Sequence, residues 1–151
     1  MSKETERAYL TTIMFNEAET NPALVNRPIA YPNQEFNVPK NAPYAEFHIK
    51  SGPKPIIVGG EGRGRVRVRY IGFVQLTLWA PKNSGSAILT RGGDIFRDLF
   101  QFRQGRDADG SSYRFGAAEE GDVEQKSSGW YCYVVRVPFE RDTIEPVQIT
   151  I

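Results

Sequence analysis

A strand-like run of fifteen residues, Arg65–Trp79, constrains the fold of this chain more than any other stretch. Apolar residues occupy its even positions and polar residues most of its odd ones, and Gly72 is the only gap in the apolar set. The even set is Val66, Val68, Tyr70, Val74, Leu76 and Leu78, and the polar odd set is Arg65, Arg67, Arg69, Gln75 and Thr77. Side chains alternate between the two faces of a strand, so one face is predicted to be apolar and the other largely polar. The run would span roughly 50 Å, so we expect its arginine-bearing half to project from the body, with a bend or bulge at Gly72.

Length and composition indicate one domain of ordinary globular character. The chain has 151 residues, of which 40% are hydrophobic and 25% charged. Its net charge of +1 gives no overall basic excess of the kind that marks nucleic-acid binding. Cys132 is the only cysteine, which excludes an intrachain disulfide and a cysteine zinc cluster and suits a reducing compartment. The charged start MSKETERAYL is not expected to be a signal peptide, and no apolar stretch approaches the roughly 20 residues of a membrane span.

Hydrophobic periodicity elsewhere predicts two helices and further strands. Apolar residues at helical spacing predict helices at Ser2–Glu19 and from Ser86 to about Gln101. Alternation predicts strands at Tyr44–Lys50 and Gly129–Phe139, and Asp142–Ile151 is interpreted as a terminal edge strand or an arm. This order of elements predicts an α+β fold, a mixed and mainly antiparallel sheet flanked by two helices, in a single domain over residues 1–151.

The segment Ser51–Gly64 is unusually rich in residues that break regular structure. It contains five glycines and two prolines, and it separates the predicted strand Tyr44–Lys50 from the run that begins at Arg65. We interpret it as the tip of a long projecting β-hairpin arm over about residues 50–70, although hairpin loops normally have two to five residues. Inside it, Ile56, Ile57 and Val58 form a strand fragment that a lone subunit would have difficulty burying.

None of the residue patterns supports an enzyme or a cofactor site. His48 is the only histidine, so a catalytic triad or a histidine metal site lacks partners. The glycine-rich stretch 59–64 has no GK[ST] and precedes a strand, unlike a phosphate-binding loop. Asp107 and Asp109 begin like a calcium loop, but the twelfth position is Ala118 where a glutamate is required. The sequence therefore predicts no catalytic residues, no metal and no cofactor.

Two charged segments are candidates for an interaction surface. Arg63, Arg65, Arg67 and Arg69 form a one-sided arginine ladder, and Glu119, Glu120, Asp122 and Glu124 form an acidic run. The ladder suits either phosphate contacts or ion pairs within the chain or with a neighbouring subunit. Interleaved stacking aromatics are absent, which favours the ion-pair interpretation over single-strand binding. An acidic run is normally a solvated face, and it is also a natural partner for the ladder of another copy.

The chain resembles the tail terminator-like proteins of long-tailed bacteriophages. The resembling features cover about Ile29–Arg141 and match in order and spacing rather than in any catalytic signature. They are a short N-terminal helix, IAYPNQEFNVP, APYAEFHIKSG, a glycine-arginine turn into RVRYIGFVQLTLWAP, a helix after SGSA, and GWYCYVVRVPFER.

This resemblance implies a structural protein of the virion tail, assembled in the host cytoplasm. Members of the family form a six-membered ring that caps the head-proximal end of the tail tube, stops tube growth and joins the connector, while DNA passes through the lumen without sequence-specific contact. The implied partners are further copies of the chain, the tail tube protein and the connector. The predicted arm would then bridge subunits or dock on the tube, and the ladder and acidic run would be the two patches of a head-to-tail contact. The alternatives are another head–tail joining protein, such as a connector stopper, or a DNA-binding accessory protein that uses Arg63–Arg69.

Overall fold

The computed structural model describes residues 3–24, 28–52, 54–126 and 129–147, and within them the chain forms two α-helices and nine strands. The helices are α1, Lys3–Thr20, and α2, Ala87–Phe100. The strands are β1 Ile29–Ala30, β2 Tyr44–Ser51, β3 Ile56–Gly60, β4 Arg65–Pro81, β5 Gln104–Arg106, β6 Ser112–Phe115, β7 Glu119–Glu120, β8 Glu124–Gln125 and β9 Trp130–Pro146. All strands belong to one sheet, in which only the described pair of β1 and β2 is parallel. The predicted α+β fold with a mixed, mainly antiparallel sheet and two helices is confirmed.

Two long strands form the axis of this sheet. Strands β4 and β9 have 17 residues each and pair along their whole length, from Arg65 opposite Pro146 to Pro81 opposite Trp130. At about 3.3 Å per residue each strand extends over roughly 55 Å. Strands β2 and β3 pair with the outer edge of β4, and β6, β7 and β8 pair with the outer edge of β9. The alternation read from the sequence therefore predicted a long strand that the structure places at Arg65–Pro81.

The hydrophobic core lies between one face of the sheet and the two helices. The even positions of β4 and the odd positions of β9 meet the buried stripes of both helices. This core includes Val74, Leu76, Leu78, Val135 and Val137 from the strands, Leu10, Met14 and Ala18 from α1, and Leu89, Phe96 and Phe100 from α2. Gly93 of α2 lies against Tyr133 and Val135, where a Cβ atom would overlap the tyrosine ring. A glycine inside this helix is thus explained by close packing on the sheet. Among the described residues, no helix is both long and apolar enough to span a membrane.

The opposite face of the sheet carries aromatic and charged side chains. Tyr44 stacks on Trp79 with ring centroids 6.1 Å apart, and the Trp79 indole donates a hydrogen bond of 2.6 Å to Glu46. Nearer the middle, the Arg136 guanidinium lies 4.3 Å above the Phe73 ring. The odd positions of β4, including its arginines, belong to this face.

The sequence suggested that the arginine-bearing half of β4 belongs to a two-stranded projecting hairpin arm, and the structure differs. This half is the middle strand of three, between β3 and the end of β9, and we call residues 56–69 and 142–146 the three-stranded extension. Because β3 pairs with β4, the loop of the hairpin is only Glu61–Gly64 rather than Ser51–Gly64. Val68 in this extension is 4% exposed, so its core-side face is partly covered. The predicted terminal segment Asp142–Ile151 begins as a continuation of β9, and residues 148–151 lie outside the described residues.

Gly72 marks a close approach of two strands rather than the predicted bulge. The pairings of Gly72 with Ser51 and with Phe139 keep their register, whereas β3 shifts register between Ile57 and Gly59. A Cβ atom at Gly72 would overlap the Lys50 carbonyl oxygen and approach the Phe139 ring to 2.9 Å. Only glycine fits because the obstacle includes backbone, which cannot rotate away.

We expect Gly72→Ala to lower the free energy of unfolding by about 1–3 kcal/mol, the usual cost of overpacking a well-packed interior. Gly59→Ala is the matched control, since it also lies in a strand but a Cβ there meets nothing within 4 Å. Urea denaturation of both variants measures the difference. Equal losses at the two positions would contradict the close-approach explanation.

Candidate assembly surface

Strand β3 presents an apolar edge that the described part of the chain leaves uncovered. It pairs with β4 on one side, and in the described part of the chain no strand pairs with its other side. All five of its residues are exposed, and the side chains of Ile56, Ile57 and Val58 are 50%, 71% and 39% exposed. Pairing with β4 therefore forms this strand without burying its side chains, which leaves them available to a partner.

Half of the arginine ladder is occupied by ion pairs within the chain. Arg67 lies 2.6 Å from the Glu61 carboxylate across the hairpin loop. Arg69 makes a bidentate interaction with the Asp142 carboxylate on β9, through its Nε at 2.8 Å and its Nη2 at 3.0 Å. The hydrogen bond from Arg69 lowers the pKa of Asp142 and, reciprocally, raises the pKa of Arg69. These partners were not identified from the sequence, because they depend on the register between β4 and β9.

The other half of the ladder remains open. Arg63 and Arg65 are exposed, and within residues 3–24, 28–52, 54–126 and 129–147 no ion pair involves either of them. Both lie at the end of the three-stranded extension, next to the hairpin loop. They are thus positioned to meet an acidic group outside the subunit.

The acidic run lies on the opposite edge of the sheet. Glu120 pairs with Arg97 of α2 at 3.2 Å and Glu124 with Lys126 at 3.0 Å, whereas no described ion pair involves Glu119 or Asp122. Strands β7 and β8 flank β9, while β3 flanks β4. Glu119 lies opposite Arg136 of β9, whereas Arg65 lies opposite Pro146. These two positions are ten residues apart on β9, a distance of roughly 33 Å along the strand. The ladder and the acidic run of one subunit are therefore separate patches that do not meet each other.

A buried ion pair fastens helix α1 to the sheet beside the three-stranded extension. Glu6 is 1% and Arg141 2% exposed, and their charged groups lie 3.5 Å apart. Ser51 donates a hydrogen bond of 2.6 Å to Glu6, and the Arg141 guanidinium stacks 4.4 Å above the Tyr70 ring. The Tyr70 hydroxyl in turn donates a hydrogen bond of 2.8 Å to Glu145 near the end of β9. The pKa of Tyr70 is raised, mainly by burial of the hydroxyl and secondly by this hydrogen bond.

Sequence reasoning missed the ion pair of Glu6, because an acidic residue in the first turn of a helix is ordinarily explained by the positive end of the helix dipole. The signal was present, because Glu6 is spaced four residues from Leu10 and eight from Met14, and so belongs to the buried stripe of α1. A charged residue on a buried stripe requires a partner of opposite charge. That partner, Arg141, is on an inward-facing position of β9, opposite Tyr70.

Of the residues considered for chemistry, Asp107 has a structural role. Asp107 accepts hydrogen bonds from the backbone of Asp109 and Ser111 and from the Tyr113 hydroxyl, which makes its loop a self-bonded turn. His48 is exposed on strand β2 opposite Gln75. In the described part of the chain, no group of three or more metal-binding side chains comes together. A groove of about 690 Å³ along α1 has an apolar wall of Tyr9, Ile13 and Leu99 with charged groups at its rim.

Comparison with known proteins gives one family and one fold. A protein-family model described as "Phage tail terminator protein" matches residues 7–139. One solved structure, of a protein that bears a sequence identifier in place of a functional name, is similar with a TM-score of 0.72 and 17% sequence identity, over 100% of this chain and 99% of that chain. At that identity the likeness concerns the fold alone. No curated protein matches the chain.

We expect either single substitution in the buried pair to lower the free energy of unfolding by about 3–5 kcal/mol, because each leaves an uncompensated buried charge. The variants are Glu6→Leu and Arg141→Met, compared by urea denaturation at one protein concentration. The double variant removes both charges and should lose less than either single variant. Additive losses would show that the two residues act independently.

We also expect the pKa of Asp142 to lie below the usual 3.9 or so of an aspartate, and Arg69→Gln to raise it toward that value. Since the pKa is depressed in the folded state, the stabilisation is present above the unfolded pKa and is lost as the pH falls through the folded one. The stability difference between wild type and Arg69→Gln should therefore shrink on acidification.

Carboxyl NMR titration measures this pKa, and denaturation across the acid range measures the stability difference. Arg65→Gln is the control, because no described ion pair involves Arg65. An unchanged Asp142 pKa in Arg69→Gln would contradict the assignment of Arg69 as its cause.

Proposed function

The chain belongs to the phage tail terminator family, and from this membership we propose that it forms a ring, most simply of six copies, that caps the head-proximal end of the tail tube. In this role it ends tube polymerisation and provides the surface on which the head–tail connector assembles. DNA passes through the lumen of the ring without sequence-specific contact. The proposed partners are further copies of the chain, the tail tube protein and the connector protein, all in the virion tail.

The observation that carries this proposal is the difference between the two edges of the sheet. One edge presents exposed Ile57 together with the open arginines Arg63 and Arg65, and the other presents exposed Ile144 and the open acids Glu119 and Asp122. A contact between two different patches is heterologous, and repeated heterologous contacts close into a ring when the rotation allows it. A symmetric dimer through either edge would instead place like charges opposite each other.

The chain's buried polar groups favour a structural rather than an enzymatic role. Asp107 and Glu6 are the buried carboxylates among the described residues, and both accept hydrogen bonds that hold the fold. A catalytic site would instead need groups that converge on a space for a substrate. The proposed role depends on shape and edge chemistry and requires no cofactor.

Two other functions predict different binding behaviour. A connector stopper would bind portal-side rings rather than tail tubes. A DNA-binding protein would use the arginine ladder, but Arg67 and Arg69 already form ion pairs with Glu61 and Asp142, which compete with phosphates for these guanidinium groups. Pull-down against tubes, portal-side rings and duplex DNA at increasing salt separates the three.

We expect electron microscopy of the purified protein mixed with tail tubes to show rings in solution or caps at one end of each tube. Tubes assembled in the presence of the protein should be of limited length, because a cap removes the growing end. Tubes without the protein are the control, and native mass spectrometry gives the number of copies. Absence of both rings and caps across salt and magnesium conditions would overturn the proposal.

A further inference from the structure

The three-stranded extension has two unpaired backbone edges at the same level. Strand β3 forms one edge, and the other is the end of β9, because the pairing of β6 with β9 stops at Asp142 while β9 continues to Pro146. In the described part of the chain no strand pairs with β9 beyond Asp142 except β4. Ile57 of β3 pairs with Val68 of β4, and Val68 pairs with Thr143 of β9, so these three residues form one row across the sheet. The two open edges therefore lie at the same position along the strands.

The β3 edge has little of the protection that usually prevents edge-to-edge pairing, whereas the open segment of β9 contains Glu145 and Pro146. Natural edge strands are commonly protected by charged residues, prolines or bulges. Strand β3 reads IIVGG, without charge or proline, and its one irregularity lies between Ile57 and Gly59. Ile144 and Val147 on the β9 side are 50% and 44% exposed. Five of the nine large apolar side chains that are exposed in the described part of the chain lie on these two edges: Ile56, Ile57, Val58, Ile144 and Val147.

The charged residues beside the two edges differ in sign. Lys54 precedes β3 and Arg63 follows it, whereas the open segment of β9 carries Glu145, and Asp142 at its start is already paired with Arg69. A cleft of about 280 Å³ lies beside the β9 edge and is lined by residues that include Arg106, Asp109 and Ile144. Pairing of two β3 edges would oppose basic residues, and pairing of two β9 edges would oppose acidic ones. The favoured contact therefore joins the β3 edge of one copy to the β9 edge of another.

The strand directions decide what such a contact builds. Strands β3 and β9 both run antiparallel to β4, so they run parallel to each other. In a closed sheet the strands tilt relative to the axis and the register shifts by a fixed amount around the barrel, so a parallel contact between two different edges can be repeated by rotation. A rotation without rise closes into a ring, whereas a rotation with rise gives an open helix.

We infer that β3 of one copy adds in parallel to residues 143–147 of the next copy, so that the extensions of all copies join into one closed sheet. The occupant of the β3 edge is thus a second copy of this chain, which buries Ile56, Ile57 and Val58 near the neighbour's Ile144 and Val147. Closure leaves no edge available for further pairing. This inference rests on the proposed ring and specifies the contact that closes it.

The test uses Ile57→Lys and Ile144→Lys, which place a charge on either edge at positions that are 71% and 50% exposed. Each variant should keep the far-ultraviolet circular dichroism of the wild type and reduce the ring fraction at least tenfold, measured by native mass spectrometry and light scattering. Phe102→Lys is the control, since Phe102 is 66% exposed in the turn after α2, outside both edges, and its rings should persist.

A cross-linking experiment tests the pairing directly. Ile56 and Ile144 lie on the same face of the sheet, because they pair with Arg69 and Arg67 of β4. Ile56→Cys and Ile144→Cys proteins, mixed and treated with a short bis-maleimide, should give a covalent dimer that neither protein gives alone. Wild type is the background control, because its only thiol is the buried Cys132. Cross-linking of Ile56→Cys with itself would overturn the head-to-tail arrangement.

The outcomes also separate this inference from the proposed function. If wild type forms neither rings nor caps, the proposed function fails. If rings persist in Ile57→Lys but disappear in Glu119→Lys with Asp122→Lys, the acidic run closes the ring and the edge pairing is wrong. If Ile57→Lys rings form but no longer cap tubes, the β3 edge binds the tube protein, which also overturns the pairing.

Discussion

The continuous ladder between β4 and β9 is the constraint on which the rest of this structure depends. Each strand has seventeen residues, so together they supply a backbone axis that is longer than any of the strands beside it. Backbone groups along such an axis require partners on their outer sides, and short strands supply them over part of its length. On the β9 side, the last of these pairings ends at Asp142, four residues before the end of the strand. The unpaired backbone of the extension is thus a direct consequence of the mismatch between the long strands and their short neighbours.

The buried pair of Glu6 and Arg141 lies at the transition between the body and the extension. On the body side, α1 covers the sheet with Leu10 and Met14, which are fully buried. At Glu6 the same helical stripe becomes charged and meets Arg141, whose guanidinium lies over Tyr70. A buried pair of this kind contributes geometric definition more than stability, because desolvation offsets much of its attraction. Since Glu6 is in the first turn of α1, the pair defines where the start of the helix lies on the sheet.

The helices and most of the long strands could be predicted from the sequence, but the contacts between distant strands could not. Period-two alternation located β4, and helical stripes located α1 and α2, because burial of one face imposes those spacings. The continuation of β9 through Asp142 and Glu145 was missed as one strand, since its outward charges interrupt the apolar pattern. Strand β3 was missed as an internally paired strand, because five residues among glycines and prolines carry little signal of their own. Its pairing, like the Arg69–Asp142 ion pair, depends on register, which the three-dimensional packing decides.

A protein that acts by assembly is expected to show its function in unpaired edges rather than in converging reactive groups. In the proposed ring, the important property of Ile57 and Ile144 is that they lie on opposite edges in nearly the same row of the sheet. The parallel direction of β3 and β9 permits each copy to repeat the same contact, and the rotation from copy to copy decides whether the contacts close into a ring and how many copies it holds. A closed ring of this kind can end a tube because its edge pairing is already complete.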